Sequence, residues 1–288
     1  MAIHLLVALL ALALLHLWPR LASWRGDDLF RRWVQQLRDT SGPGRVALAL
    51  LPPLALCVLI LLLLGRGASG PWLQPLFALL VLVYCFGPRD FEADVAAILD
   101  APDGASREAA AQQLADDGRA VAWDARALGS ATVYAALRRR FAVLLWFFLL
   151  GAAGALAYRL AQTLARDAAL QRDNDTAAAQ YLANALDWIP AQLLTFTLAL
   201  VGHWEAVIAA WRRWHSQAQA TSWYRHGPDF LGAAAQANVQ TDIEGGDGYS
   251  EEHSDPLVEL VRLRSTLLRA LLAWLSIVAL IVIGGWLR

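Results

Sequence analysis

Phe141–Leu160 reads FAVLLWFFLLGAAGALAYRL and carries a single charge, Arg159. Hydrocarbon about 30 Å thick takes roughly 20 apolar helical residues to cross. Runs of the same character recur at Ile3–Trp18, Val46–Leu64, Trp72–Phe86 and Leu267–Leu287, with a shorter one at Ile189–Val201. Alanine and leucine dominate them, so they read as helices rather than barrel strands. The expected fold class is all-α: a polytopic transmembrane helix bundle with five or six membrane-embedded helices and two helical cytoplasmic segments. Residues 1–288 read as a single membrane domain. The composition agrees, with 58% hydrophobic residues, 17% charged residues and a mean hydropathy of +0.41. A soluble chain of this length does not need runs so apolar.

All 24 basic residues are arginine. Arg20–Arg45 holds six, Gly65–Pro71 one, Gly87–Arg140 seven, Ala161–Trp188 two and Gly202–Thr266 five. With six crossings the alternate loops hold 18 against 3. The positive-inside rule then places both termini outside and the three arginine-rich loops in the cytoplasm. If Ile189–Val201 does not cross, or if Phe141–Leu160 is re-entrant, the parity changes. Residues 1–18 resemble a signal-peptide core, but no basic residue precedes them and no A-x-A site follows, so an uncleaved first helix is expected. Trp18, Trp24, Trp72, Trp188, Trp204 and Trp286 fall at or near the edges of the runs, where indoles favour the membrane interface. Cys57 and Cys85 have no ligand-spaced neighbour and read as buried, inert thiols.

The loops carry the remaining information. In the 88–140 cytoplasmic segment, Phe91, Val95, Ile98 and Leu99 recur at helical spacing. Pro102-Asp103-Gly104 is a turn, and Ser106 with Arg107-Glu108 reads as the start of another helix. Within 202–266, Thr241–Ser254 (TDIEGGDGYSEEHS) reads as a flexible acidic, glycine-rich loop. Its five acidic residues would repel a phosphate. No Walker motif, zinc spacing or nucleophile elbow occurs, so neither cofactor nor metal ligand nor catalytic residue is assigned. A net charge of -1 without a basic stripe gives no sign of a nucleic-acid partner. The expected partner is the lipid bilayer.

Four stretches resemble the AmpE/CobD–CbiB family: Cys85–Phe91 (CFGPRDF), Gly151–Leu164 (GAAGALAYRLAQTL), Leu186–Leu194 (LDWIPAQLL) and Gly202–Trp211 (GHWEAVIAAW). The resemblance extends from about Ala47 to the C-terminus. The positions that carry it are Gly87, Pro88, Gly151, Gly154, Tyr158, Trp188, Pro190 and Gly202. It implies an inner-membrane, multi-pass protein of one of two kinds. AmpE is linked to β-lactamase induction and the response to cell-wall antibiotics. CobD/CbiB is the membrane enzyme that attaches an aminopropanol arm in cobalamin (adenosylcobinamide) synthesis.

The residues favour the AmpE branch. The synthases carry E-S-V-A-E-N-T-V-D-G before the fourth apolar run; Ser130–Arg139 (SATVYAALRR) stands there in this chain. Ser130 and Tyr134 replace the glutamates, Ala135 the asparagine and Arg138 the aspartate. Synthase N-T-L-D becomes Gln162-Thr163-Leu164-Ala165, and L-D-D-L-L-N becomes Leu182-Ala183-Asn184-Ala185-Leu186-Asp187. An ATP- or metal-dependent condensation needs carboxylates as metal ligands or as acid and base. Mid-helix Asp, Glu or Arg, which a transporter path would need, is absent from the runs on this reading, with Arg159 and Arg269 taken as helix-end residues.

Among retained polar residues, Asp90, His203 and Glu205 are candidates for one inner-face cleft that binds a small ligand or partner, such as a cell-wall fragment or another membrane protein. Polar residues at helix ends also simply cap or meet water. Asp187 is expected at the outer end of the fifth run. His16 reads as a packed histidine. Arg138-Arg139-Arg140 reads as a stop signal in contact with lipid phosphates.

Overall fold

Each apolar run of the sequence forms helix. The computed structural model describes residues 2–18, 26–37, 40–66, 70–87, 89–115, 120–170, 177–217, 223–247 and 255–285. Pro88, Trp24, Trp286 and 248–254 lie outside the described residues. The described residues are mostly helical and include no strand, so the protein is an all-α helix bundle. The helices are α1 (Ala2–Leu17), α2 (Asp28–Gln36), α3 (Gly42–Arg66), α4 (Gly70–Cys85), α5 (Phe91–Asp100), α6 (Gly104–Ala111) and α7 (Ala125–Ala136). They continue with α8 (Ala142–Arg166), α9 (Ala177–Val201), α10 (Trp204–His215), α11 (Trp223–His226), α12 (Phe230–Asp247) and α13 (Pro256–Ile283). One π-helical turn, Leu137–Phe141, joins α7 to α8.

Among the described residues, three helical stretches are long and apolar enough to cross a membrane: Gly42–Arg66, Ala125–Arg166 and Pro256–Ile283. Ala2–Leu17 and Gly70–Cys85 are shorter apolar helices. In α3 only 17% of the most apolar window is buried. Leu56, Leu59, Leu62 and Leu63 point outward, as do Leu272, Leu280 and Ile283 of α13. So large an exposed apolar surface belongs in hydrocarbon, not in water.

The chain folds as two units. The first comprises 1–90, 142–183 and 277–288, and the second 91–141 and 184–276. In the first unit α4 packs against α1, α3 and α8, and α3 against α8. Pro53 lies inside α3 and cannot donate to the carbonyl of Ala49, four residues back. The indole Nε1 of Trp33, on α2, donates to that carbonyl at 3.3 Å and so ties the amphipathic α2 to α3. In α8 Gly151 has φ 68° and ψ −158°, a conformation that breaks the helix and that an L side chain avoids. Residues 146 and 154 would be about 12 Å apart along a straight helix. A Cβ at Gly154 would instead meet the carbonyl of Trp146 at 2.5 Å and the side chain of Leu150. The chain therefore turns sharply at Gly151. Arg159 consequently sits inside the second half of α8 rather than at a helix end, which corrects the sequence reading.

In the second unit α12 packs against α10 and α7, and α5 against α6. Phe91, Val95 and Ile98 are buried as their spacing predicts. Asp103 caps α6 by accepting from the Ser106 amide at 2.7 Å, where the sequence places a helix start. Thr241–Asp247 is not loop: it forms the last turns of α12. Cys57 and Cys85 are buried and unpaired.

Candidate functional site

The first unit gathers its charge around Asp27, at the start of α2. Asp27 is 6% exposed. Its Oδ2 accepts from Arg159 Nη2 at 2.5 Å and from the Thr163 hydroxyl at 3.3 Å, both on α8. Its Oδ1 accepts from the Tyr84 hydroxyl on α4 at 2.8 Å. Gly87, with φ 89°, brings the chain past the Arg159 guanidinium: a Cβ there would lie 3.4 Å from Nη1. One turn further along, Arg31 Nε meets Asp167 Oδ2 at 2.5 Å. A buried carboxylate needs such a donor set, since an unpaired one would be far too costly. Among the family positions, Tyr158 is fully buried in this unit.

The second unit pairs the arginine triplet residue by residue. Arg138 Nε is 3.3 Å from Asp187 Oδ2, and Asp187 is 0% exposed. Arg139 is 7% exposed, donates to Asp94 at 2.7 Å and also reaches the carbonyls of Gln113 and Leu114. Arg140 and Arg264 share Glu92, each at 2.8 Å. Three consecutive arginines reach three different carboxylates from one π-helical turn, whose wider spacing splays their directions. The triplet is thus a set of internal ion pairs rather than a lipid-facing stop signal, and Asp187 is the fully buried member of one of them. Tyr134 donates to the Pro228 carbonyl at 2.9 Å. Asn184 donates to the carbonyls of Tyr224 and Arg225. Trp188 packs on Trp214, His215 and Phe230 with ring centroids 5.2–6.1 Å apart, and Pro190, inside α9, is buried.

The candidate triad divides between the units. Asp90 lies in the first, half-buried just before α5. His203 and Glu205 lie in the second, at the start of α10. The structure gives His203 a different companion: its Nε2 is 3.5 Å from Asp242, which also receives Arg262 at 3.1 Å. The His203 amide donates to Asn238 at 2.8 Å, where Gly202 leaves no room for a Cβ. Burial pushes the Asp242 carboxyl up, but the hydrogen bonds from Arg262 and His203 outweigh it and hold it below the usual range. Glu205 is exposed in the first turn of α10.

A cleft of about 280 Å³ opens between α7, α10 and α12. Arg126, Arg213, Gln217, Gln236 and Gln240 line it beside Trp214, with no acidic side chain. Guanidinium forks and carboxamides suit a carboxylate-bearing ligand. Asp90, His203 and Glu205 do not line this cleft. No sequence motif marks it, because Arg126, Arg213 and Gln236 come from three separate helices. Asp27 was equally unmarked, although an arginine inside an apolar run is itself a signal that a carboxylate stands opposite.

The model of the family described as regulatory signalling modulator protein AmpE matches residues 3–285. Two curated proteins are also similar, both described as cobalamin biosynthesis protein CobD. The one from Chromobacterium violaceum is 36% identical over 115 residues, 38% of this chain and 34% of the relative. The one from Stutzerimonas stutzeri is 30% identical over 162 residues, 51% of this chain and 50% of the relative. The chain spans half or less of the length of these relatives. No solved structure matches.

Proposed function

The chain belongs to the AmpE family, and from that premise we propose that it is a non-catalytic, multi-pass regulatory protein of the bacterial inner membrane, linked to β-lactamase induction and the response to cell-wall antibiotics. The observation that carries this reading over synthase chemistry is the Arg138–Asp187 pair. Arg138 stands where the synthases have an aspartate, and its guanidinium is committed to a fully buried carboxylate. Tyr134, standing for a synthase glutamate, donates to a backbone carbonyl. Neither residue can hold a cation or take up a proton as a carboxylate would at neutral pH. The cleft lined by Arg126, Arg213 and three glutamines suits a carboxylate-bearing small molecule, such as a cell-wall fragment.

The alternative is a membrane enzyme of the CobD type, and the similarity to two proteins of that description favours it. The test is turnover. Purified full-length protein, given cobyric acid, an aminopropanol donor, ATP and Mg²⁺, should give no more product than an empty-membrane control. Turnover above that control overturns the regulatory reading.

A further inference from the structure

We infer that Ala142–Arg166 is a re-entrant segment that enters and leaves the membrane by the cytoplasmic face, and that Ile189–Val201 does not cross either, so that the chain crosses four times and Gly87–Thr266 stays on one side. The length of Ala125–Arg166 suggests a crossing only if the helix is straight, and it is not. From Ala142 to the break at Gly151 the helix rises about 14 Å, half or less of the hydrocarbon thickness.

The two ends of the second half of α8 fix its direction. Gly151 lies against His4, in the first turn of α1. It shares a cavity of about 580 Å³ with Leu61, Pro71 and Gln74, near the end of α3 and the start of α4. Twelve residues on, Thr163 and Arg159 meet Asp27 beside Tyr84, at the other end of α4. This half therefore runs alongside α4, back to the face where α4 ends. Asp167 confirms the level within the same unit, because it pairs with Arg31 of α2. Arg31 belongs to the Arg20–Arg45 loop, which holds six arginines. Ala161–Trp188 thus starts on the arginine-rich side, not opposite it.

The second unit gives an independent reading for Ile189–Val201. Asp187, just before it, is paired with Arg138, which belongs to the arginine-rich 87–140 segment. After Val201 the chain turns, and α10 returns along α9. Trp211 Nε1 donates to Gln192 at 2.7 Å, and Trp214 reaches Trp188 with ring centroids 6.0 Å apart. The chain is then back beside its starting point, with Arg212 and Arg213 exposed on the way. No net crossing has occurred.

The arginines agree. With four crossings, 21 of the 24 lie in Arg20–Arg45 and Gly87–Thr266, and one, Arg66, lies in the outer loop. In the short loops that flank these crossings the split keeps its sign, with six arginines in Arg20–Arg45 against one in Gly65–Pro71, and bias of that kind orients a membrane chain. The inference stands on these pairs and not on the regulatory reading.

The test is labelling of single added cysteines in the full chain by a membrane-impermeant maleimide, in intact and in permeabilised cells. The native Cys57 and Cys85 are buried and set the background. Ala168→Cys and Gln180→Cys, both at exposed positions, should label only after permeabilisation, as should Gln217→Cys. Ser69→Cys should label in intact cells. Labelling of Ala168→Cys or Gln180→Cys in intact cells overturns the inference for α8; labelling of Gln217→Cys overturns it for Ile189–Val201. An epitope inserted after Asn174 gives the same reading if a cysteine variant does not accumulate: antibody access in intact cells refutes, access only after permeabilisation supports.

Discussion

Replacing Asp27 by alanine should be among the most damaging single changes in this protein. The carboxylate is 6% exposed and accepts from three side chains on two helices. Removing one partner of a buried ion pair costs about 3–5 kcal/mol, because the other charge is left uncompensated. Here the stranded group is Arg159, whose side chain is 16% exposed. The Tyr84 hydroxyl also loses its acceptor. A chain of this size loses roughly 2–3 °C of melting temperature per kcal/mol, so the loss should be roughly 6–15 °C. The assay is thermal unfolding of the detergent-solubilised protein, followed by static light scattering. Arg159→Ala should cost a similar amount, and the double variant less than the sum of the two, since each single change strands the same charge pair. Tyr84→Phe removes one charge-assisted hydrogen bond and should cost about 1.5–3 kcal/mol. An Asp27→Ala melting temperature within a degree of the parent, or fully additive losses in the double variant, would refute the reasoning.

Arg139→Ala should cost about 3–5 kcal/mol in the same assay, because Asp94 and two carbonyls lose their donor; binding to anionic-lipid vesicles should be unchanged, whereas a lipid contact would weaken it with no loss of stability. Gly202→Ala should cost about 1–3 kcal/mol, since the new methyl displaces the Asn238 side chain that accepts from the His203 amide; melting checks it, and no change would mean that the contact yields freely. The Asp242 carboxyl is depressed in the folded state, so its contribution is present above the ordinary value near 3.8 and is lost as pH falls through the lower folded value. The melting difference between the parent and Asp242→Asn should therefore shrink as pH falls below about pH 4; a difference that grows over that acid range contradicts the sign. Gly151→Ala should cost about 1–3 kcal/mol in the same melting assay from backbone strain alone, because its φ 68° and ψ −158° suit only glycine while an added Cβ meets His4 at ordinary contact distance; an unchanged melting temperature would contradict the break.

Much of the bundle is legible in the apolar runs. Ile3–Trp18, Val46–Leu64, Trp72–Phe86 and Leu267–Leu287 coincide with α1, α3, α4 and most of α13, because a run of leucines and alanines has no other way to satisfy its backbone in hydrocarbon. The helical spacing of Phe91, Val95 and Ile98 and the turn at Asp103 read equally plainly, being local patterns. The break at Gly151 does not: glycine is common in membrane helices, and nothing in GAAGALAY separates a bend from a straight packing face. Charge pairing is hidden for a related reason. Arg159 announces that a carboxylate must stand opposite it, but Asp27 lies 132 residues away. The partners of Arg138, Arg139 and Arg140 lie 45–49 residues away. Gly245-Gly246 made the end of α12 look like loop, and so concealed that Asp242 sits on a helix within reach of His203 and Arg262.

The central claim, a regulatory role in β-lactamase induction, is tested most directly by measuring β-lactamase activity before and after a β-lactam challenge in cells that lack this chain. The account predicts that deletion alters the induced level, that the full-length chain restores it, and that Arg126→Glu/Arg213→Glu does not, at equal membrane abundance. Unchanged induction on deletion, together with restored aminopropanol attachment when this chain is placed in a synthase-deficient strain, would contradict it.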